Sequence, residues 1–222
     1  MNQFLLSLSA LIVASATVFP AFAQETKGDA SAGEKKNAMC IGCHGIVGYH
    51  AGFPEVYKVP KIAGQGEAYI ASALHGYAKG DRHFPTMHAV AQSLSDQDIA
   101  DISAYYAQLG QGGTAATPAK PSREPSTEVA SLLQKGACVS CHGDNFAKPI
   151  DPSYPLLAGQ HPDYLFVALK AYKADKGRYV GRSNAIMGGV AKQFTHVELK
   201  ALASYIGSLD GELKTVPESR FR

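Results

Sequence analysis

The sequence predicts an all-α protein made of two tandem halves of similar plan, joined by a Pro-rich linker. Three observations lead there. A short motif occurs twice, as AMCIGCHG at residues 38–45 and ACVSCHG at residues 137–143, with Cys40 and Cys138 98 positions apart. Apolar stripes at helical spacing follow each copy at nearly the same offset. Strand signals are nearly absent between them.

Taken in order, residues 1–23 (MNQFLLSLSALIVASATVFPAFA) contain no charged side chain and end in Ala21-Phe22-Ala23, an A-x-A cleavage pattern. The expectation is a signal peptide at 1–23 and export of a chain beginning at Gln24, although the n-region lacks Lys and Arg. An uncleaved segment would instead be an anchor, giving peripheral membrane association. A first domain is expected over 24–110, a linker over 111–127, a second domain over 128–210 and a C-terminal tail over 211–222. The linker, QGGTAATPAKPSREPST, holds three prolines and few large apolar groups.

Within the halves, Pro60-Lys61-Ile62-Ala63-Gly64-Gln65 matches Pro155-Leu156-Leu157-Ala158-Gly159-Gln160 at an offset of 95. Tyr69, Ile70, Ala73, Leu74 and Tyr77 then match Tyr164, Leu165, Ala168, Leu169 and Tyr172, which predicts amphipathic helices over 67–79 and 162–176. A block at offset 100 pairs Met87-His88-Ala89-Val90-Ala91 with Met187-Gly188-Gly189-Val190-Ala191. Ser95-x-x-Asp98 and Thr195-x-x-Glu198 read as capping boxes opening a last helix in each half. Short helices are expected around 29–39 and 127–136. Each half thus reads helix, C-x-x-C-H, loop, helix, Met loop, helix.

The charge is close to balance, which excludes a strongly basic nucleic-acid binder. Residues 24–112 carry 7 basic and 9 acidic side chains (−2), and residues 113–222 carry 14 and 10 (+4). That polarity can orient the molecule toward a charged partner. The four cysteines narrow the chemistry further. Disulfides within each C-x-x-C would close tiny loops and restrain little. Zinc knuckles lie about 12–20 residues apart, whereas 94 residues separate these two. Thioredoxin-like chemistry would need a βαβ pattern. C-x-x-C-H is the attachment motif of c-type haem, and two copies use every cysteine. Cys40 and Cys43, and Cys138 and Cys141, are therefore the expected thioether positions, with His44 and His142 as axial ligands beneath the iron. A half of under 100 residues has a marginal core, so the two haems are also expected to complete the folding.

For the sixth ligand, Met1 lies in the leader and Met39 abuts Cys40, which leaves Met87 and Met187 at equivalent places. A lone methionine there reads as a core filler; the matched pair reads as axial ligands. His83 and His88 flank Met87 and are alternative ligands without counterparts in the second half. His75, His50, His161 and His196 have sufficient roles at the surface. The backbone carbonyls of Pro60 and Pro155 are candidate acceptors for the ligating imidazole N–H, or these prolines only shape a loop. Lys170, Lys173, Lys176, Arg178 and Arg182 make a basic stretch that is either a solvated face or a propionate-pairing or docking site.

On these residues the chain resembles the class I cytochromes c, and specifically the dihaem cytochrome c4 family. CIGCHG, PKIAGQ, the Met87 segment and LSDQDIADISAYYAQL carry the likeness in the first half. CVSCHG, PLLAGQHPDYLFVALKAYK, NAIMGGVA and ELKALASYIGSL carry it in the second. The resemblance implies two all-α domains related by a pseudo-twofold axis, with haems approaching near the interface. It also implies electron shuttling in the periplasm between a redox donor and an acceptor such as a terminal oxidase. The loop GIVGYHAGFPEVYKVPK, the longer second Met loop and the tail GELKTVPESRFR depart from the pattern or from the first half. The leading function is a non-catalytic electron carrier. Its rivals are a haem-bearing subunit of a dehydrogenase, such as a flavocytochrome sulfide dehydrogenase, and a dihaem redox enzyme such as a peroxidase or thiosulfate-oxidising cytochrome.

Overall fold

In the first half, the Asp29 carboxylate accepts from the Ser31 N–H and opens helix α1, Ala30–Lys36. The computed structural model describes residues 26–111, 120–177 and 179–217, so the leader and most of the linker lie outside the described residues. The helix expected around 29–39 is two helices. It breaks at buried Asn37, the N-cap of α2, Ala38–His44, which carries the first C-x-x-C-H. A small antiparallel hairpin follows, β1 (His50–Ala51) with β2 (Tyr57–Lys58). Helix α3 spans Glu67–Lys79, the expected range, and stops where Gly80 adopts φ +84°, a left-handed cap that favours glycine. Strand β3 (Arg82–His83) leads into α4, Pro85–Gln92, and the capping box of Ser95 and Asp98 opens α5, Asp96–Gln108.

The second half repeats this plan with α6 (Thr127–Lys135), α7 (Cys138–His142) and α8 (Pro162–Ala174). Strand β4 (Gly181–Arg182), α9 (Ala185–Lys192) and α10 (His196–Gly207) complete it. Thr195 and Glu198 form the expected capping box on α10. One expectation needs correction. The two Met segments are helices, not loops, and the reason is local. Pro85 takes the first position of α4, and the Asn184 side chain accepts from Met187 N–H at the start of α9.

Each half buries its own apolar cluster. Ile70, Leu74, Ile99, Ile102 and Tyr106 form the first; Phe146, Leu165, Phe194, Leu199, Leu202 and Ile206 belong to the second. Helix α1 crosses α5 at Gly33, where a Cβ would stand 2.1 Å from the Asp101 carbonyl oxygen. Only glycine permits so close an approach. Lys36 and buried Asp101 clamp the same crossing at 2.6 Å.

The halves meet through backbone as well as side chains. β3 and β4 pair antiparallel, Arg82 opposite Arg182 and His83 opposite Gly181. The tail, without a counterpart in the first half's sequence, returns to that half: Lys214 N–H donates to the Ala63 carbonyl at 3.0 Å, and Leu213 is buried.

Candidate functional site

A cavity of about 380 Å³ opens chiefly in the first half, with Leu156, Gln160 and Tyr164 of the second half closing one side, and Cys40, Cys43, His44, Pro60 and Met87 all face it. Helix α2 presents the thiols at i and i+3 and the imidazole at i+4 on one side, since residues three and four apart share a helix face. Helix α4 brings Met87, half-buried against the first core cluster. His44 Nδ1 lies 2.8 Å from the Pro60 carbonyl, so as donor it leaves Nε2 as the lone-pair nitrogen. Burial pushes His44 below its ordinary pKa while that carbonyl pulls the other way, which favours the neutral ring a metal needs. Burial raises the Cys40 thiol to about 11 and raises Cys138 as well. Protonated thiols of this kind are poor thiolate ligands and poor redox nucleophiles.

In the second half, α7 carries Cys138, Cys141 and buried His142, and α9 carries Met187. Burial lowers His142 as well, and the Pro155 carbonyl opposes that. Its Nδ1 is nevertheless buried without a hydrogen bond of ordinary geometry. The neighbouring Tyr154 ring lies 6.3 Å from the imidazole, centroid to centroid. Of the alternative ligands, His88 Nδ1 lies 2.6 Å from the Tyr77 carbonyl and His83 Nδ1 lies 3.1 Å from the Gly177 carbonyl. Arg178 of the basic stretch lies outside the described residues, and its described members do not act as one face. Lys170 pairs with Glu55 across the halves, Lys173 donates to the Phe194 carbonyl, and Arg182 is buried.

Between the halves lies a second set of residues that the repeat pattern contained without marking. Arg82 reaches the Tyr69 hydroxyl at 3.3 Å and Arg182 the Tyr164 hydroxyl at 2.9 Å. Each guanidinium also stacks on a second tyrosine of its own half, Tyr77 or Tyr172. Gln65 and Gln160 cross over, each hydrogen-bonded to the backbone of the other half's P-x-x-A-G-Q segment. The signal was available: Gln65 and Gln160 recur at offset 95, and Arg82 and Arg182 at offset 100.

The Cytochrome c family profile matches residues 30–110 and 126–210. The chain is 32% identical over 184 residues to cytochrome c4 of Pseudomonas aeruginosa, covering 82% of this chain and 89% of that one. The chain belongs to the cytochrome c4 family. It also matches the crystal structure of reduced recombinant cytochrome c4 from Pseudomonas stutzeri, at TM-score 0.57 and 27% identity, covering 82% of this chain and all of that one. A further relative, the "thiosulfate dehydrogenase electron acceptor" of Thiomonas intermedia, is 30% identical over 178 residues, covering 77% of this chain and 78% of its own.

As a member of the cytochrome c4 family the chain is an electron-transfer protein, not an enzyme, and its cofactors are two covalently bound c-type haems. The residues present fit that group. Two free thiols, an imidazole held by a carbonyl and a thioether sulfur converge on the apolar cavity of the first half. Arg82 and Arg182 supply cationic donors suited to carboxylates such as haem propionates, and among the described residues no Asp or Glu forms an ion pair with either.

Proposed function

We propose that the chain is a periplasmic dihaem electron carrier in which Cys40 and Cys43 hold the first haem, and Cys138 and Cys141 the second. His44 and Met87 are the axial ligands of the first iron, His142 and Met187 those of the second. The domains run over 24–110 and 128–210. One observation carries this reading: α2, α4 and the Pro60 segment turn the two cysteines, the histidine and Met87 toward a single cavity. Each haem, when bound, would supply a one-electron ferric–ferrous couple, and ligation by His and Met would raise its potential.

The chain's own part is to hold the ligands still. The Pro60 carbonyl fixes the His44 ring through Nδ1, the Asn184 cap fixes the turn that carries Met187, and the apolar walls exclude water. A ligand set that stays in place leaves electron exchange little to rearrange. Alkaline pyridine quantification tests the assignment. Two c-type haems per chain and a weak red ferric methionine–iron band are expected; one haem, or a high-spin ferric iron, would overturn it.

The acceptor is a terminal oxidase or a similar redox partner, and the donor is a component of the respiratory chain. The likeness to a thiosulfate dehydrogenase electron acceptor favours a second reading in which thiosulfate oxidation supplies the electrons. Stopped-flow reduction of the ferric protein by a thiosulfate dehydrogenase separates the two. Reduction within seconds supports that donor, and none over minutes removes it.

A further inference from the structure

The peptide unit joining Pro60 to Lys61 is gripped from both sides. Its carbonyl lies 2.8 Å from His44 Nδ1. Its N–H donates to Gln160 Oε1 at 3.0 Å, and Gln160 belongs to the other half of the molecule, 99 residues away. The glutamine is itself locked. Its Nε2 donates to the Lys61 carbonyl at 2.9 Å, His161 N–H donates to its Oε1 at 3.0 Å, and the residue is only 4% exposed. Lys61 Nζ closes the contact by donating to the Gly159 carbonyl at 2.7 Å. A continuous chain of hydrogen bonds therefore runs from the His44 ring, through one peptide plane, to a side chain of the second half.

We infer that Gln160 is a positioning residue that sets the reduction potential of the haem in the opposite half, acting through the Pro60–Lys61 peptide on His44. The inference rests on the assignment of His44 as axial ligand. A peptide whose N–H is bonded to an acceptor carries more negative charge on its carbonyl oxygen, because hydrogen bonds in a chain polarise one another. A more negative Pro60 oxygen draws harder on the Nδ1 proton and makes the imidazole a more basic ligand. A more basic ligand favours ferric over ferrous iron. Burial keeps water from taking the glutamine's place at the Lys61 N–H. Docking of the second half thus becomes part of the first haem's ligand field.

The return arm is built alike but ends in a looser contact. Leu156 N–H donates to Gln65 Oε1 at 2.9 Å, and Gln65 Nε2 donates to the Leu156 carbonyl at 3.0 Å. The Pro155 carbonyl acts on His142 against the effect of burial, but at a geometry looser than an ordinary hydrogen bond. The coupling therefore runs more strongly from the second half to the first than in reverse.

The test uses the full holoprotein, with the potential of each haem followed separately through its hyperfine-shifted proton resonances. In Gln160→Leu the ferrous-to-ferric ratio of the first haem at fixed applied potential should rise about threefold, a shift of ~30 mV at 59 mV per tenfold. The His44 Nδ1–H resonance should move upfield, and the second haem should stay where it was. Gln160→Glu keeps an acceptor at the Lys61 N–H and strengthens it, so both signals should move the opposite way. That variant also covers the case in which Gln160→Leu undocks the halves. Gln65→Leu should shift the second haem less than Gln160→Leu shifts the first. Equal shifts of both haems in Gln160→Leu, or the same sign for Leu and Glu, would overturn the inference. A His44 ring without hyperfine shift in the unaltered protein would instead overturn the ligand assignment beneath it. A hyperfine-shifted His44 that neither substitution moves would sink the coupling alone.

Discussion

Replacing Gly33 by alanine pushes a methyl group into the crossing of α1 and α5. The new Cβ would stand 2.1 Å from the Asp101 oxygen, 2.6 Å from its carbonyl carbon and 2.7 Å from the Tyr105 Cβ. Ordinary carbon–oxygen contacts begin near ~3.3 Å, so the helices must part by about 1 Å. The obstacle is backbone and cannot rotate away, which puts the cost near the ~3 kcal/mol upper end for overpacking. Parting the helices also weakens the bond from Asp29 N–H to the Asp101 carboxylate, now 2.8 Å, at a further ~1 kcal/mol. Alanine's better helix propensity returns about 1 kcal/mol. A net loss of about 3 kcal/mol confined to the first half is more than a hundredfold in its opening equilibrium. Native-state hydrogen exchange of the holoprotein reads this directly: amides of α1 and α5 should exchange faster by that factor while those of α8 and α10 hold. Gly42→Ala is the control, because a Cβ there meets no atom within 4 Å and the second half carries Ser140 at the same place. Exchange in Gly33→Ala within threefold of the parent, or loosening shared equally by both halves, would refute the packing argument.

Three further outcomes are expected. Met187→Ala should abolish about half of the red ferric methionine–iron band while pyridine quantification still returns two haems; an unchanged band would remove Met187 from the ligand set. Arg182→Gln takes away a buried positive charge, which stabilises the oxidised state, so spectroelectrochemistry should show lower potentials by tens of mV, where ~59 mV is tenfold in the redox ratio; a rise in both would contradict the charge argument. Lys36 first, and the Asp29 N–H next, hold Asp101 below the usual carboxylate range. Its stabilising contribution is therefore complete above pH ~4, the unfolded value, and is lost as pH falls through the lower folded value. Denaturation of the first half in Asp101→Asn should converge with the parent at low pH, and a pH-independent gap between them would count against the linkage.

What the sequence made legible was local. The capping boxes at Ser95 and Thr195, the stripes of α3 and α8 and the paired methionines are each specified within a dozen residues, and repetition confirmed each against its partner. The Met segments read as loops in sequence because eight-residue helices, the second of them containing Gly188-Gly189, carry little periodicity, whereas Pro85 and Asn184 supply the helix starts through backbone chemistry. Asn37 breaks the first helix for a reason set by burial, which no periodicity reports. The interface was the least legible part. Gln65 and Gln160 stand inside the P-x-x-A-G-Q repeat, but a glutamine's partner 91 or 99 positions away depends on how two halves dock. Arg182 belongs to a basic stretch that reads in sequence as either a solvated face or a propionate-pairing or docking site, and its place on β4, paired with β3, is buried.

That interface bears on the order of assembly. Two guanidinium groups, Arg82 and Arg182, sit opposite each other on paired strands, and Arg182 is 8% exposed. Tyrosine hydroxyls accept from them, and among the described residues no carboxylate forms an ion pair with either. Bringing two like charges together away from water costs several kcal/mol when nothing opposes them. The reciprocal glutamine bonds contribute on the order of 1 kcal/mol each, which does not clearly outweigh that. The halves should therefore dock firmly only after the anionic side chains of the haems are in place, so attachment precedes docking. The full chain with all four cysteines changed to alanine provides the check. Limited proteolysis should cut it in the 111–127 linker and release halves that separate on gel filtration, whereas the nicked holoprotein should elute as one particle. Halves of the cysteine-free chain that stay together would show that the polar contacts suffice without the cofactors, and the order would have to be reversed.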